Sequence, residues 1–485
     1  MECNVTPGRR RAPIKKWIRA AILLYLLYAF CTGVLPFLRP QAVSEAFAAS
    51  VSPEDFYGTS PCQDRAALVE TPAEGFDTRI HILDEAKSRI DLSYYAMHMG
   101  QTTDLFLGAL LDAADRGVQI RILVDGQFGG LTPVNRAYAA AIGAHPNIAL
   151  KVYNMPNPLK PWTWNGRLHD KYIIVDDRLL LMGGRNIGDK YFGPENYEKP
   201  LSYDRDVLIY NTAWEAGSGG SVLSHVRGYM DSLWDGPNVR QLFTKDTKSA
   251  MAKRQALQAE FGDFRSRRPD LFDHTRDDYE SATCTTNRVT FFHNDTNIGI
   301  KSPKTGYILG RLLTNAESFV ALQSPYVILD SALEQLLRDL GEMDIEAAIL
   351  TNSAASSPNP AACAAYLGDR KTILGTGVRL WEYQSEDSIH GKTYLIDDRM
   401  AVVGSYNLDP RSAYIDTEML LAIDSTDFTR QLKKAQEAYW QQALEVGPEG
   451  RYFQKDTLRP RPLPLLKKIM LLAIYVPVRL FKQLT

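Results

Sequence analysis

Residues 169–191 read HDKYIIVDDRLLLMGGRNIGDKY, and residues 390–412 read HGKTYLIDDRMAVVGSYNLDPRS. Aligned without a gap, they share a histidine, a lysine two places on, an Asp-Asp-Arg triplet, a glycine and an asparagine. Such self-similarity predicts two copies of one structural unit in one chain. The match continues upstream, where residues 89–95 and 318–324 both read as a strand. Each is followed by leucines at helical spacing: Leu105, Leu107, Leu110 and Leu111, then Leu333, Leu336, Leu337 and Leu340. A β-rich run comes next, 118–124 against 345–350, and a further strand, 148–153 or 378–383, leads into each motif. Strands alternating with helices predict an α/β fold with a parallel or mixed sheet.

The motif itself reads as a hairpin carrying chemistry. Residues 172–175 and 393–396 are β-formers, so His169 and Lys171 share a strand and, two apart, face the same way. The Asp-Asp-Arg triplet interrupts two apolar runs and predicts a tight turn. Counting back from a turn near Asp177 sets Arg185, and beside it Asn186, opposite His169; the same count from Asp398 sets Asn407 beside His390. Gly183, Gly184 and Gly404 are expected to let backbone approach a bound group. Each hairpin thus gathers a histidine, a lysine and an asparagine. Lysine supplies positive charge, asparagine a neutral donor, and histidine can attack phosphorus or carry protons near neutral pH. That trio suits phosphoryl transfer. Asp176 and Asp397, at odd spacing and near the turn, are expected to brace the hairpin.

The chain has 485 residues, enough for two domains, and a net charge of −2. The near-neutral balance argues against a dedicated nucleic-acid binder. Five cysteines, Cys3, Cys31, Cys62, Cys284 and Cys363, have no C-x-x-C spacing and form no zinc module. No His/Asp/Glu cluster has metal-ligand spacing, and neither a metal nor a cofactor is expected.

Arg9, Arg10, Arg11, Lys15, Lys16 and Arg19 precede an uncharged stretch, 20–38, of about 19 residues, close to the roughly 20 that cross a bilayer. An uncleaved anchor is favoured over a cleaved signal peptide, for which residues 46–48 could serve as the cleavage site. Basic residues stay on the cytoplasmic side, so the body is expected on the outer face. In that oxidising compartment Cys62 and Cys284 could pair as a bond between lobes. Near the other end, 469–478 is an uncharged run of about 10 residues, too short to span. It reads either as an interfacial helix or as a helix docked on the protein.

The paired motif resembles the signature of the phospholipase D superfamily, H-x-K-x4-D-x6-G-[GS]-x-N in two copies. Here the copies are His169, Lys171, Asp176, Gly183, Gly184 and Asn186, then His390, Lys392, Asp397, Gly404, Ser405 and Asn407. Residues 184–189 with Tyr191 and Phe192, 324–326, 350–353 and 407–412 are similar to bacterial cardiolipin synthases of the C-type branch. One departure is Asp416 in Asp-Thr-Glu, where that branch carries Asn.

The resemblance implies an α/β fold of two phospholipase D-like α-β-α repeats, a pseudo-twofold bilobed body; the N-terminal transmembrane helix comes from the residues themselves and is a feature not carried over from that branch. Charge and hydropathy set residues 1–19 as a basic cytoplasmic segment, 20–38 as anchor and 39–60 as tether. The repeats would be 61–244 and 285–450, joined by a charged linker, 245–284, and followed by an amphipathic tail, 451–485. The implied catalytic set is His169, Lys171, Asp176, His390, Lys392 and Asp397, with phosphate held by Asn186, Asn407, Gly184 and Ser405. Asp206 and Glu418 are implied to orient the histidines. Function would be metal-free transfer of a phosphatidyl group between membrane phospholipids through a phosphatidyl-histidine, His169 attacking and His390 moving protons. Hydrolysis to phosphatidic acid, a nucleic-acid phosphodiesterase and a non-catalytic lipid-binding scaffold are the competing readings; no nucleic-acid partner is expected.

Overall fold

A computed structural model describes residues 14–243, 245–273 and 278–485. Arg9, Arg10, Arg11 and Cys3 lie outside the described residues. An apolar helix α1 (Ile14–Gly33) opens the described chain.

The first repeat then runs β1 (Asp64–Val69), β2 (Arg89–Tyr94), α2 (Gln101–Asp115), β3 (Gln119–Asp125), β4 (Ile148–Tyr153), β5 (Lys171–Val175), β6 (Leu179–Gly183), β7 (Asp206–Asn211), α3 (Val222–Trp234) and α4 (Lys248–Arg267). The second runs β8 (Arg288–His293), β9 (Phe319–Gln323), α5 (Ser331–Glu342), β10 (Glu346–Asn352), α6 (Pro360–Leu374), β11 (Arg379–Tyr383), β12 (Lys392–Ile396), β13 (Met400–Gly404), β14 (Met419–Asp424), α7 (Thr426–Gln441) and α8 (Leu465–Leu480).

Among the described residues these strands, with short edge strands at Val239–Gln241, Cys284–Thr285 and Ala443–Glu445, build a nine-stranded and an eight-stranded sheet. The central order is β1-β7-β6-β5-β2-β3-β4 in one and β8-β14-β13-β12-β9-β10-β11 in the other, the same path walked twice. Strands β2, β3 and β4 pair in parallel through helical crossovers, while the motif hairpin β5-β6 adds antiparallel. The mixed α/β fold expected from the repeat is the one found.

Tyr172 pairs with Met182 and Val175 with Leu179, the register that the turn count predicts for the hairpin. Asp176 and Asp397 sit at the turns with positive φ of 49° and 52°, a conformation that a short carboxylate side chain tolerates. The Asp176 carboxylate accepts from the backbone N–H of Lys87, Ser88 and Arg89 and from Ser88 Oγ. Asp397 does the same with Glu317, Ser318 and Phe319. Each aspartate therefore clamps its hairpin to the start of the neighbouring strand.

Segments outside the repeats' regular core are also held. Within 245–284, α4 buries Leu257, Phe261 and Phe264 in the first repeat's core, and Cys284–Thr285 pairs with β1. The segment thus packs against the first repeat, the buried Ala250, Leu257, Phe261 and Phe264 of α4 falling on one face. Phe37, near the end of the expected anchor stretch, and Phe56, within the tether, are buried in the second repeat's core. Cys62 and Cys284 are free thiols in the same sheet region, Cys62 beside Thr286 Oγ1 at 3.2 Å and Cys284 opposite Ala66. They form no bond between lobes.

The halves meet face to face. Tyr172, Ile174, Leu180, Met182 and Val207 pack with Leu395, Ala401, Val403, Met419 and Leu421 in one buried cluster. Such burial, at roughly 1.5–3 kcal/mol for each large apolar side chain, is enough to hold the halves as one body.

Candidate active site

Two backbone bridges between the halves create the site. Leu168 bridges Thr417, and Ser388–Ile389 pairs in parallel with Ser202–Tyr203. The residue after each bridge is chemical: His169 meets Glu418, and His390 meets Asp204. Each histidine is thus braced by a carboxylate from the other half.

His169 Nδ1 lies 2.9 Å from Glu418 Oε1, and His390 Nδ1 lies 2.5 Å from Asp204 Oδ2. A partner on Nδ1 turns Nε2 outward as the working nitrogen. Lys171 and Lys392 fold back so that each Nζ donates to the carbonyl of its own strand's histidine. Lys392 Nζ is also 2.7 Å from His390 Nδ1 and 3.7 Å from Asp204. Tyr95 stands edge-on to His169 with ring centroids 4.8 Å apart, and Tyr191 to His390 at 5.9 Å. Asn186 Nδ2 donates to Tyr191 Oη at 3.0 Å and Asn407 Nδ2 to Ser412 Oγ at 3.3 Å.

Asp206 is not the histidine's partner. Its carboxylate lies 2.9 Å from Arg79 and 3.3 Å from Arg185, all three side chains buried. Strand pairing explains the correction. Gly183 pairs with Asp206 and Gly404 with Leu420, so the residue two before Asp206 matches the residue two before Leu420. Laying the apolar runs 207–209 and 421–423 on each other would have found Asp204 opposite Glu418.

The motif glycines make room for protein rather than for a bound group. A Cβ on Gly183 would meet Arg205 O at 2.3 Å, and one on Gly404 would meet Met419 O at 2.1 Å, both on the adjoining chain. A Cβ on Gly184 would meet Asp204 Oδ1 at 2.3 Å. Its counterpart Ser405 instead donates its Oγ to Glu418, and Ser412 Oγ donates to the same carboxyl at 2.7 Å. Gly184 and Ser405 therefore serve the carboxylates. Asp176 and Asp397 stand seven residues from their histidines, about 20 Å along an extended strand, and are held by backbone N–H groups and one serine hydroxyl each.

Asp416, the departure from the C-type pattern, accepts from Arg167 N at 2.9 Å and from Arg411 Nε at 3.0 Å, tying the two halves beside the site.

The two carboxyls are not equivalent electrostatically. Burial pushes Asp204 up, but Lys392 and His390 outweigh it and hold the carboxylate well below its ordinary range. Burial pushes Glu418 up to about 8, with Lys171, Ser405 and Ser412 only partly offsetting it. Burial, then Lys392, brings His390 down to about 3, and burial with Lys171 holds His169 well below its ordinary value. Lys171 is brought down to about 7 by burial. A bound phosphodiester would reverse the cationic part of these shifts, since negative charge favours protonated imidazole. Among the described residues no group of three or more His, Cys, Asp or Glu could hold a metal.

Residues 80–234 and 309–440 match the family described as "Cardiolipin synthase, PLD-like domain", one segment in each half. The chain is 28% identical over 424 residues to cardiolipin synthase C of Escherichia coli (strain K12), covering 78% of this chain and 86% of that protein. It is 26% identical over 371 residues to a cardiolipin synthase of Staphylococcus aureus (strain N315), covering 75% and 64%. Phosphatidylserine synthase of Haemophilus influenzae Rd KW20 shares the fold, with a TM-score of 0.62 at 15% identity over 89% of this chain and 99% of that one. Two matched segments, each delivering one histidine to a shared site, make this chain a member of the phospholipase D-like cardiolipin synthase family and a phosphatidyltransferase of that type.

Proposed function

We propose that the protein joins a phosphatidyl group to a lipid alcohol to make cardiolipin, through a phosphatidyl-histidine. The observation that carries this reading is the pair of histidines braced from opposite halves beside two buried lysines. His169 Nε2 attacks the phosphodiester, a P–N bond forms, and the P–O bond to the leaving alcohol breaks. His390 gives that alkoxide its proton. His390 then takes the proton of the incoming lipid hydroxyl, whose oxygen displaces His169 and restores the enzyme.

The lysines and asparagines Lys171, Lys392, Asn186 and Asn407 neutralise and position the phosphate. The carboxylate asymmetry supports this division of labour. An ionised Asp204 stabilises the imidazolium that a general acid must become. Glu418, largely protonated near neutral pH, suits a histidine that stays neutral to attack.

Lipid extracts of cells lacking cardiolipin test the function. Expression of the protein is expected to produce cardiolipin, whereas accumulation of phosphatidic acid alone would replace transfer by hydrolysis. Quenching with labelled donor phospholipid is expected to leave the label on His169. Label mapped to His390 by mass spectrometry would exchange the two roles.

The body is proposed to stand on the outer face of the cytoplasmic membrane. Residues 15–38 form the one described helix long and apolar enough to cross a bilayer, and Lys15, Lys16 and Arg19 head it. Protease added to intact spheroplasts should then degrade the body; survival until the membrane is broken would reverse the orientation.

A further inference from the structure

Helix α8 has two unlike faces. One docks on the second repeat: Leu471 is buried with Cys363 and Ala364 of α6, and Arg479 pairs with Asp369. Lys467 Nζ donates to the carbonyls of Ala355 and Ser357 at 2.9 and 2.7 Å. Gly368 lets Arg479 lie close, since a Cβ there would meet its side chain at 2.6 Å. These contacts fix the helix's rotation about its axis.

That rotation turns an apolar stripe outward. Leu466 is 81% exposed, Ile469 56%, Leu472 68%, Val476 63% and Leu480 69%, all at helical spacing. Helix α7, which packs on the body in water, carries a polar outer face instead. Residues 465–485 contain no Asp or Glu, and Lys468 is exposed beside the stripe. The stripe is also continuous with other exposed apolar surface. Phe481, just past α8, stands edge-on to Phe30 of α1 with centroids 6.4 Å apart. Tyr25 and Tyr28 of α1 donate to the carbonyls of Pro158 and Leu159 at 2.9 Å, in a loop that exposes Leu159, Trp162 and Trp164. That loop leads to His169.

We propose that α8 lies in the plane of the membrane, its outer stripe sunk in the acyl region of the leaflet from which α1 emerges. The protein then rests on lipid through α1, α8 and the loop carrying Leu159 and Trp162, and the strand leading to His169 is held against the headgroups. A basic helix with an apolar face and aromatic neighbours fits such an interface, buried about 5–10 Å into the headgroup and acyl boundary. The inference rests on the membrane attachment proposed above and not on the transfer chemistry.

A photoreactive benzophenone amino acid tests it in the full chain. It is placed at Leu472 or Val476, with Leu27 of α1 as the lipid-facing reference and Asp263 of α4 as the aqueous one. The protein is reconstituted in vesicles of phosphatidylethanolamine and phosphatidylglycerol, irradiated, and its peptides weighed. Lipid adducts are expected at 472 and 476 in yields like those at 27, and none at 263. Yields at 472 and 476 like those at 263 would overturn the proposal, as would crosslinks to a second copy of the chain. Because no turnover is read, failure here leaves the proposed reaction untouched.

Discussion

Replacing His169 or His390 with alanine lowers phosphatidyl transfer by at least about 10⁴-fold, while the melting temperature barely moves. The site is composite, with one histidine from each half, so neither half retains a complete reaction path. Without the attacking imidazole no P–N bond forms. Without its counterpart the leaving alkoxide departs unprotonated and the acceptor hydroxyl is not activated. Neither histidine belongs to the apolar clusters that hold the halves together, which is why the fold should tolerate both changes. Turnover on mixed lipid vesicles, read beside thermal melts, checks this. A folded variant retaining a hundredth of the parent rate would remove that histidine from the mechanism.

Two neighbouring aspartates should differ in what they cost turnover. Asp204→Asn keeps the shape of the side chain but removes the charge that steadies protonated His390, and should cost about 10²–10⁴ in kcat; it also leaves buried Lys392 without its counter-charge and so lowers the melting temperature. Asp206→Asn leaves Arg79 and Arg185 buried without their counter-charge, a loss of about 3–5 kcal/mol in stability. Folded Asp206→Asn protein should still turn over. Glu418→Gln should be milder than Asp204→Asn below pH 8, because Glu418 already carries its proton there. Denaturant melts and kcat on the same samples separate the cases. If Asp206→Asn loses turnover while keeping stability, the assignment of Asp204 as the partner of His390 is wrong.

The amino-acid order alone determined the repeat, the strand-helix alternation and the hairpin register that pairs Tyr172 with Met182. These are local matters: side-chain periodicity, a turn-forming Asp-Asp-Arg and a pairing that a one-residue slip would turn inside out. The aspartates' role as braces was legible for the same reason, since odd spacing from the histidine puts them off its face.

What crosses between halves was not legible. Asp204 faces His390 because residues 202–203 lie alongside 388–389, and Glu418 faces His169 because Thr417 lies alongside Leu168. Those bridges join chain segments nearly two hundred or more residues apart, and counting within one motif cannot see them. The glycines' purpose, the packing of α4 on the first repeat and the outward rotation of α8 also came from tertiary contacts. Each depends on which neighbour occupies the space beside a residue, and only the folded chain decides that.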